Sequence, residues 1–190
     1  MKQVLLLACI ALSTMAFTNL KDSWTNDDPH THLGFTVTHL GINDVSGTFN
    51  DVDITLEASK ADFSDASFTL VAKTASIDTE VDARNTHLKS ADFLNVETYP
   101  TLNFKSNKMT KIKGDFYKLT GNLTMHGVTK PVTLELKFRG TTVNPMNQKE
   151  TSGFQVTGTL KRSDFGIGPK FTEAIISDVV RLKADAEFVK

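Results

Sequence analysis

The chain is nearly without cysteine: of 190 residues one is Cys, at position 9. One thiol cannot close a disulfide within the chain, and it leaves no cysteine set for structural zinc. Net charge is also lacking. Twenty-one basic residues stand against 22 acidic ones, for a formal charge of −1, and the two signs are interspersed. With no basic stripe to meet a phosphate backbone, nucleic acid is not an expected partner. Polar rings are scarce too, one Trp and two Tyr beside thirteen Phe. Rings without a polar handle sit wholly in apolar surroundings, so this bias suits a deep dry core or an apolar cavity equally. No phosphate loop, dinucleotide fingerprint or paired-carboxylate arrangement is present. The expectation is a non-enzyme with no catalytic residues and no cofactor.

The apolar run from Val4 to Leu12 is too short to span a bilayer. Preceded by Lys2 and followed by Ser13-Thr14-Met15-Ala16, it has the build of a secretory signal peptide. The expected organisation is a signal over residues 1–16 and one domain over 17–190. The mature chain is then exported to the periplasm or the outside, without a transmembrane segment. Cys9 leaves with the signal. Leu6-Leu7-Ala8-Cys9 has the look of a lipoprotein box, but it falls before the apolar run reaches a useful length.

What fills the rest of the chain is alternation. Val180, Leu182, Ala184, Ala186 and Phe188 alternate with Arg181, Lys183, Asp185 and Glu187; Val132, Leu134, Leu136 and Phe138 with Thr133, Glu135 and Lys137; Phe154, Val156, Gly158 and Leu160 with Gln155, Thr157 and Thr159. A strand turns successive side chains to opposite faces, so each run has one dry and one wet face, the pattern of antiparallel sheet. Further runs are Leu33–His39 after a polar lead-in from Trp24, a second region over Val45–Ala58, Phe68–Ala72, Leu102–Phe104 and Tyr117–Met125. Two stretches break the period. Val81, Arg84, Leu88, Ala91 and Leu94 recur at helical spacing, which predicts a short helix within Glu80–Asn95, and Gly166–Phe171 suggests a minor helical turn. Eight antiparallel strands with one short helix predict an all-β up-and-down barrel, with a sandwich as the competing fold. An eight-stranded interior is either filled by side chains or holds one small ligand.

Of the five histidines, His30 and His32 would share a strand face behind Asp27 and Asp28, where a zinc or copper site can be imagined; the plainer reading is a polar strand start, and no metal is expected. His39 shares the face of Phe35 and Val37, as a satisfied core residue or as a polar contact at a cavity mouth. Arg84 and His87, three apart on one helical face, suit an anionic head group or simply hold the helix on the rim. Ser90 and Asp92 near His87 supply the residue types of a hydrolase triad, without a nucleophile elbow. His126-Gly127 has the form of a turn.

Three long segments, Ser76-Ile77-Asp78-Thr79, Arg84 to Leu94 and Tyr99-Pro100-Thr101-Leu102-Asn103-Phe104, together with Leu119 to Val132, resemble the signatures of the YceI family. Phe35-x-Val37-x-His39-Leu40-Gly41, Val45-Ser46-Gly47-x-Phe49 and Arg162-x-Asp164-Phe165-Gly166-Ile167 agree at the two ends, so the likeness runs from Trp24 to Lys190. Departures are His32-Leu33, Arg84-Asn85 and Phe93-Leu94, where the family often has His-Ser, Arg-Asp and Phe-Phe. The resemblance implies an exported, lipocalin-like barrel that binds a polyisoprenoid or another long apolar chain in its interior. It also places a homodimer across the open mouth among the expectations. With strand parity it nominates Phe35, Val37, Leu70, Phe104, Leu119, Leu134, Leu136, Phe154, Val156 and Leu182 as lining, and His39, Arg84 and His87 as polar contacts near an opening. Two rival expectations stand beside it. One is a packed barrel that acts as an envelope stress or interaction protein without lipid; the other is an enzyme on an amphiphile that uses His39 or His87 as acid or base.

Overall fold

The computed structural model describes residues 21–190; the expected signal and Cys9 lie outside the described residues. The alternating runs form strands β1 (Asp22–His39), β2 (Asn43–Phe49), β3 (Val52–Ala58), β4 (Ser67–Lys73), β5 (Ile77–Asp78), β6 (Thr101–Lys113), β7 (Phe116–Met125), β8 (Val128–Val143), β9 (Glu150–Lys161) and β10 (Val179–Val189). All pairings are antiparallel. β1 bonds to β2 along Leu33–His39 and to β3 along Asp22–Thr25, so β2 and β3 are two halves of one path. β5 likewise extends the line of β4 and pairs with β2. The result is a closed eight-stranded antiparallel barrel, shut by β10 returning to β1. A sandwich has two separate sheets, and this is one sheet whose last strand bonds to its first.

Several boundaries differ from the sequence expectation: the Val45–Ala58 region is broken into β2 and β3, β6 and β8 run well past Leu102–Phe104 and Val132–Phe138, and three further differences have a visible cause. β1 begins at Asp22, because the polar lead-in finds backbone partners in both β3 and β10 and buries Trp24. Its register against β10 slips between Asn26 and Thr31, so the intervening residues bulge outward. The helix, α1 (Asp82–Lys89), is shorter than the periodic pattern. Ser90 takes extended backbone, its hydroxyl donates to the His87 carbonyl at 2.7 Å, and the Leu94 amide then bonds to the Leu88 carbonyl. Turns rather than further helix therefore carry Phe93 and Leu94 inward. The minor helical element is a 3-10 turn at Arg162–Phe165, ahead of the expected Gly166–Phe171, where Gly166 ends it at φ 67°.

One end of the barrel is sealed. The β3–β4 connection sends Phe63 into the interior, where its ring centroid lies 5.5 Å from Trp24 and 5.2 Å from both Phe138 and Phe154. Phe154 also meets Phe68 at 5.5 Å and Phe188 at 5.6 Å, both edge-on, the favoured arrangement of ring quadrupoles. The Tyr117 hydroxyl donates to the Asp62 carbonyl at 3.2 Å and fixes this plug. The opposite end carries the β1–β2 turn, α1, the β7–β8 turn and the 162–178 segment.

Candidate functional site

Beyond the ring cluster the interior is not filled. A cavity of about 490 Å³ occupies the half of the barrel nearer α1, within the usual range for small-molecule sites. Phe35, Val37, Leu70, Phe104, Leu119, Leu134, Val156 and Leu182 border it, as do His39, Arg84 and His87. Leu136 and Phe154, nominated on the same parity, do not. Both face inward but sit deeper, at 0% and 3% exposure, and belong to the sealed end. Parity gives the face of a strand and not the depth along it. The space exists partly because small residues occupy interior positions. A Cβ at Gly121 would fall 2.5 Å from the Phe104 ring and from the Lys105 carbonyl oxygen, so glycine there lets that ring lie flat against the wall.

The mouth is covered by α1 with its following turns and by the segment after β9. Phe93 stacks on Phe171 with centroids 4.8 Å apart, and the His87 ring stands edge-on to both, at 5.0 and 5.7 Å. Sequence reasoning used the helical spacing of this region without assigning Phe93 to the cavity, and it missed Arg162. That residue is 7% exposed and gives all its guanidinium nitrogens to backbone carbonyls. Nε donates to Ser177, Nη1 to Ile167 and Gly168, and Nη2 to Phe171 and Ile176, at 2.6 to 3.3 Å. One side chain thereby folds the whole 166–177 excursion around itself and still borders the cavity. The available signal was a lone arginine after a strand, inside a glycine-rich segment.

Arg84, on α1, is positioned by Thr79 in the turn that precedes the helix. Its Nε donates to the Thr79 hydroxyl at 2.8 Å and its Nη2 to the Thr79 carbonyl at 2.7 Å. Asn85 accepts from the Thr79 amide and hydroxyl and donates to Asp78, which fixes Thr79 in turn. His87 Nε2 lies 3.4 Å from Asp92 Oδ2, while Asp92 Oδ1 accepts from Lys170 at 2.6 Å. Lys170, then His87, hold the Asp92 carboxyl below its usual range. Ser90 bonds to the His87 backbone and not to its ring, so the triad residue types form no relay. His39 ends β1 exposed, opposite Ile176.

The remaining histidines lie elsewhere. Asp27, His30 and Glu187 bring one ligand atom each within 4.8 Å of one another at the β1 bulge, and His32 is not part of that group. His30 Nδ1 bonds to Asp27 at 2.8 Å; that bond and the charge of Glu187 raise its pKa. His126 and Gly127 form the tight β7–β8 turn, both at positive φ, with His126 Nδ1 3.0 Å from the Phe165 carbonyl. Among the described residues no helix is long and apolar enough to cross a membrane.

Residues 24–188 match the family described as YceI-like domain. A UPF0312 protein of Staphylococcus aureus (strain bovine RF122 / ET3-1) is 34% identical over 166 residues, 87% of this chain and 93% of that protein. The crystal structure of a Campylobacter jejuni YceI protein is 31% identical with a TM-score of 0.73, covering 80% of this chain and 89% of that one. Burkholderia cenocepacia BcnA, at 21% identity and a TM-score of 0.77 (85% and 98% covered), shares the fold. So does a polyisoprenoid binding domain from Saccharophagus degradans implicated in plant cell wall breakdown, at 15% and 0.65 (87% and 97% covered).

Proposed function

The chain belongs to the YceI family, and from that premise we propose that it is an exported binding protein, not an enzyme. It holds a long apolar chain, a polyisoprenoid or another lipid, inside its barrel for transport, storage or sequestration. The observation that carries the reading is the unfilled apolar cavity of about 490 Å³ above a sealed aromatic floor. A packed barrel would have no such space. The Saccharophagus neighbour is a polyisoprenoid binding domain, which supports the ligand class. Burial of apolar surface is worth roughly 25 cal/mol per Å², so several isoprene units supply ample drive before ordering costs. Leu and Phe walls require no directional chemistry of the tail. Export rests on Lys2 and the Val4–Leu12 run.

The test is organic-solvent extraction of the purified protein followed by mass spectrometry. Stoichiometric lipid is expected. Protein that yields none, and that takes up no long-chain probe, overturns the proposal. Cell fractionation with an antibody to the mature chain tests export separately.

A further inference from the structure

On the cavity wall, among the described residues, every side chain that can carry charge is basic: His39, Arg84, His87 and Arg162 border it, and no Asp or Glu does. Among the described residues, neither Arg84 nor Arg162 has a carboxylate within 4.0 Å. The nearby acids are engaged elsewhere. Asp78 accepts from Asn85 and the Glu80 amide, Asp92 from Lys170, and Asp178 from the Ser163 amide and hydroxyl. Arg162 has used all its nitrogens on carbonyls, so it offers the cavity its charge and no free donor. Arg84 differs. Thr79 fixes its Nε and Nη2, while Nη1 has no hydrogen-bond partner among the described residues.

We propose that the bound amphiphile carries an anionic head group, a carboxylate or a phosphate, that accepts a hydrogen bond from Arg84 Nη1 beneath α1 while its tail runs toward the aromatic floor. The inference rests on the lipid-binding reading above and adds the chemistry of the head. Arg84 is half-buried and its free nitrogen is open to the cavity or to solvent; a charge-assisted bond there favours an anion over a neutral hydroxyl, the more so beside an apolar wall. Arg162 acts here as a positioning residue. It holds the segment that carries Phe171, which packs against His87, three residues along from Arg84 on α1. Asp178 offsets part of the Arg162 charge: against the effect of burial, the Ser163 bonds and that charge hold the Asp178 carboxyl below its usual range.

The experiment uses matched ligands on delipidated protein, followed by titration calorimetry: oleate against oleyl alcohol, and a polyprenyl phosphate against the polyprenol of equal length. The anionic member of at least one pair is expected to bind about tenfold tighter or more. The pair that shows the ratio identifies carboxylate or phosphate. In Arg84→Gln the ratio falls toward one, and in Arg84→Lys, which keeps the charge but loses the fork, part of it returns. Equal affinities within both pairs for the native protein overturn the head-group proposal while leaving a lipid-binding barrel. Binding of no member of either pair overturns the lipid reading itself and the head-group proposal with it. An unchanged ratio in a folded Arg84→Gln protein overturns the assignment to Arg84.

Discussion

Lys170 donates to Asp92 at 2.6 Å, and this exposed ion pair ties the segment after β9 to the turns that follow α1. The Asp92 pKa is lowered, first by the bond from Lys170 and then by that from His87. A depressed carboxylate pKa contributes stability that is fully present above the unfolded value, about 3.9, and is lost as pH falls through the lower folded value. Hydrogen-exchange protection across residues 166–178 is therefore expected to hold at neutral pH and to drop in acid below about pH 4. Asp92→Asn should show the reduced protection at every pH. Equal protection of the variant and the native protein at pH 7 would show that this pair does not latch the segment.

The sealed end and the cavity wall should respond differently to truncation. Phe154→Ala deletes a ring that touches four others, at an expected cost of about 3–5 kcal/mol in urea unfolding. Leu134→Ala removes a side chain that already borders empty space, so about 2 kcal/mol or less is expected. A reversed order would mean that the stabilising core lies at the cavity wall and not at the floor.

Filling the lumen is the complementary change. Val156→Phe places a larger side chain into the cavity from β9. Co-purifying lipid should fall several-fold while the melting temperature stays within a few degrees of native, since no packed ring is displaced. Undiminished lipid in this variant would place the tail elsewhere.

Arg162→Met removes the side-chain donor from five backbone carbonyls, of which Gly168 still accepts from the Phe171 amide. Buried acceptors left unpaired cost about 1–3 kcal/mol each, with partial relief where water can enter. A loss of about 3 kcal/mol or more is expected, along with faster release of a fluorescent fatty-acid probe. Arg162→Lys should rescue little, because an ammonium cannot span carbonyls from Ile167 to Ser177.

Much of this molecule was legible in period-two alternation. It separated the inward Leu119, Leu134 and Leu182 from their outward neighbours and counted the strands of the barrel. It could not rank positions along a strand, which is why Leu134 borders the cavity and Leu136 lies in the floor. It was also blind to tertiary pairing that recruits polar sequence. Asp22–Thr25 is strand because β3, joined at Thr25 by β10, pairs with its backbone, and not because of its own propensity. The role of Arg162 lies in backbone carbonyls that no side-chain pattern reports. Whether an interior is hollow depends on summed volumes, and a few glycines among many phenylalanines decide that only in three dimensions.

The barrel closes by pairing β1 with β10, and register along that seam runs to Val189. A seam between the first and last described strands has the largest sequence separation in the barrel, the kind of contact that slows folding. Without that pairing the remaining strands would leave an open sheet with an apolar trough and an unpaired edge, a shape prone to aggregate. The enclosed cavity therefore depends on that one seam, and whatever opens β1 from β10 opens the chamber along its whole length instead of at its mouth.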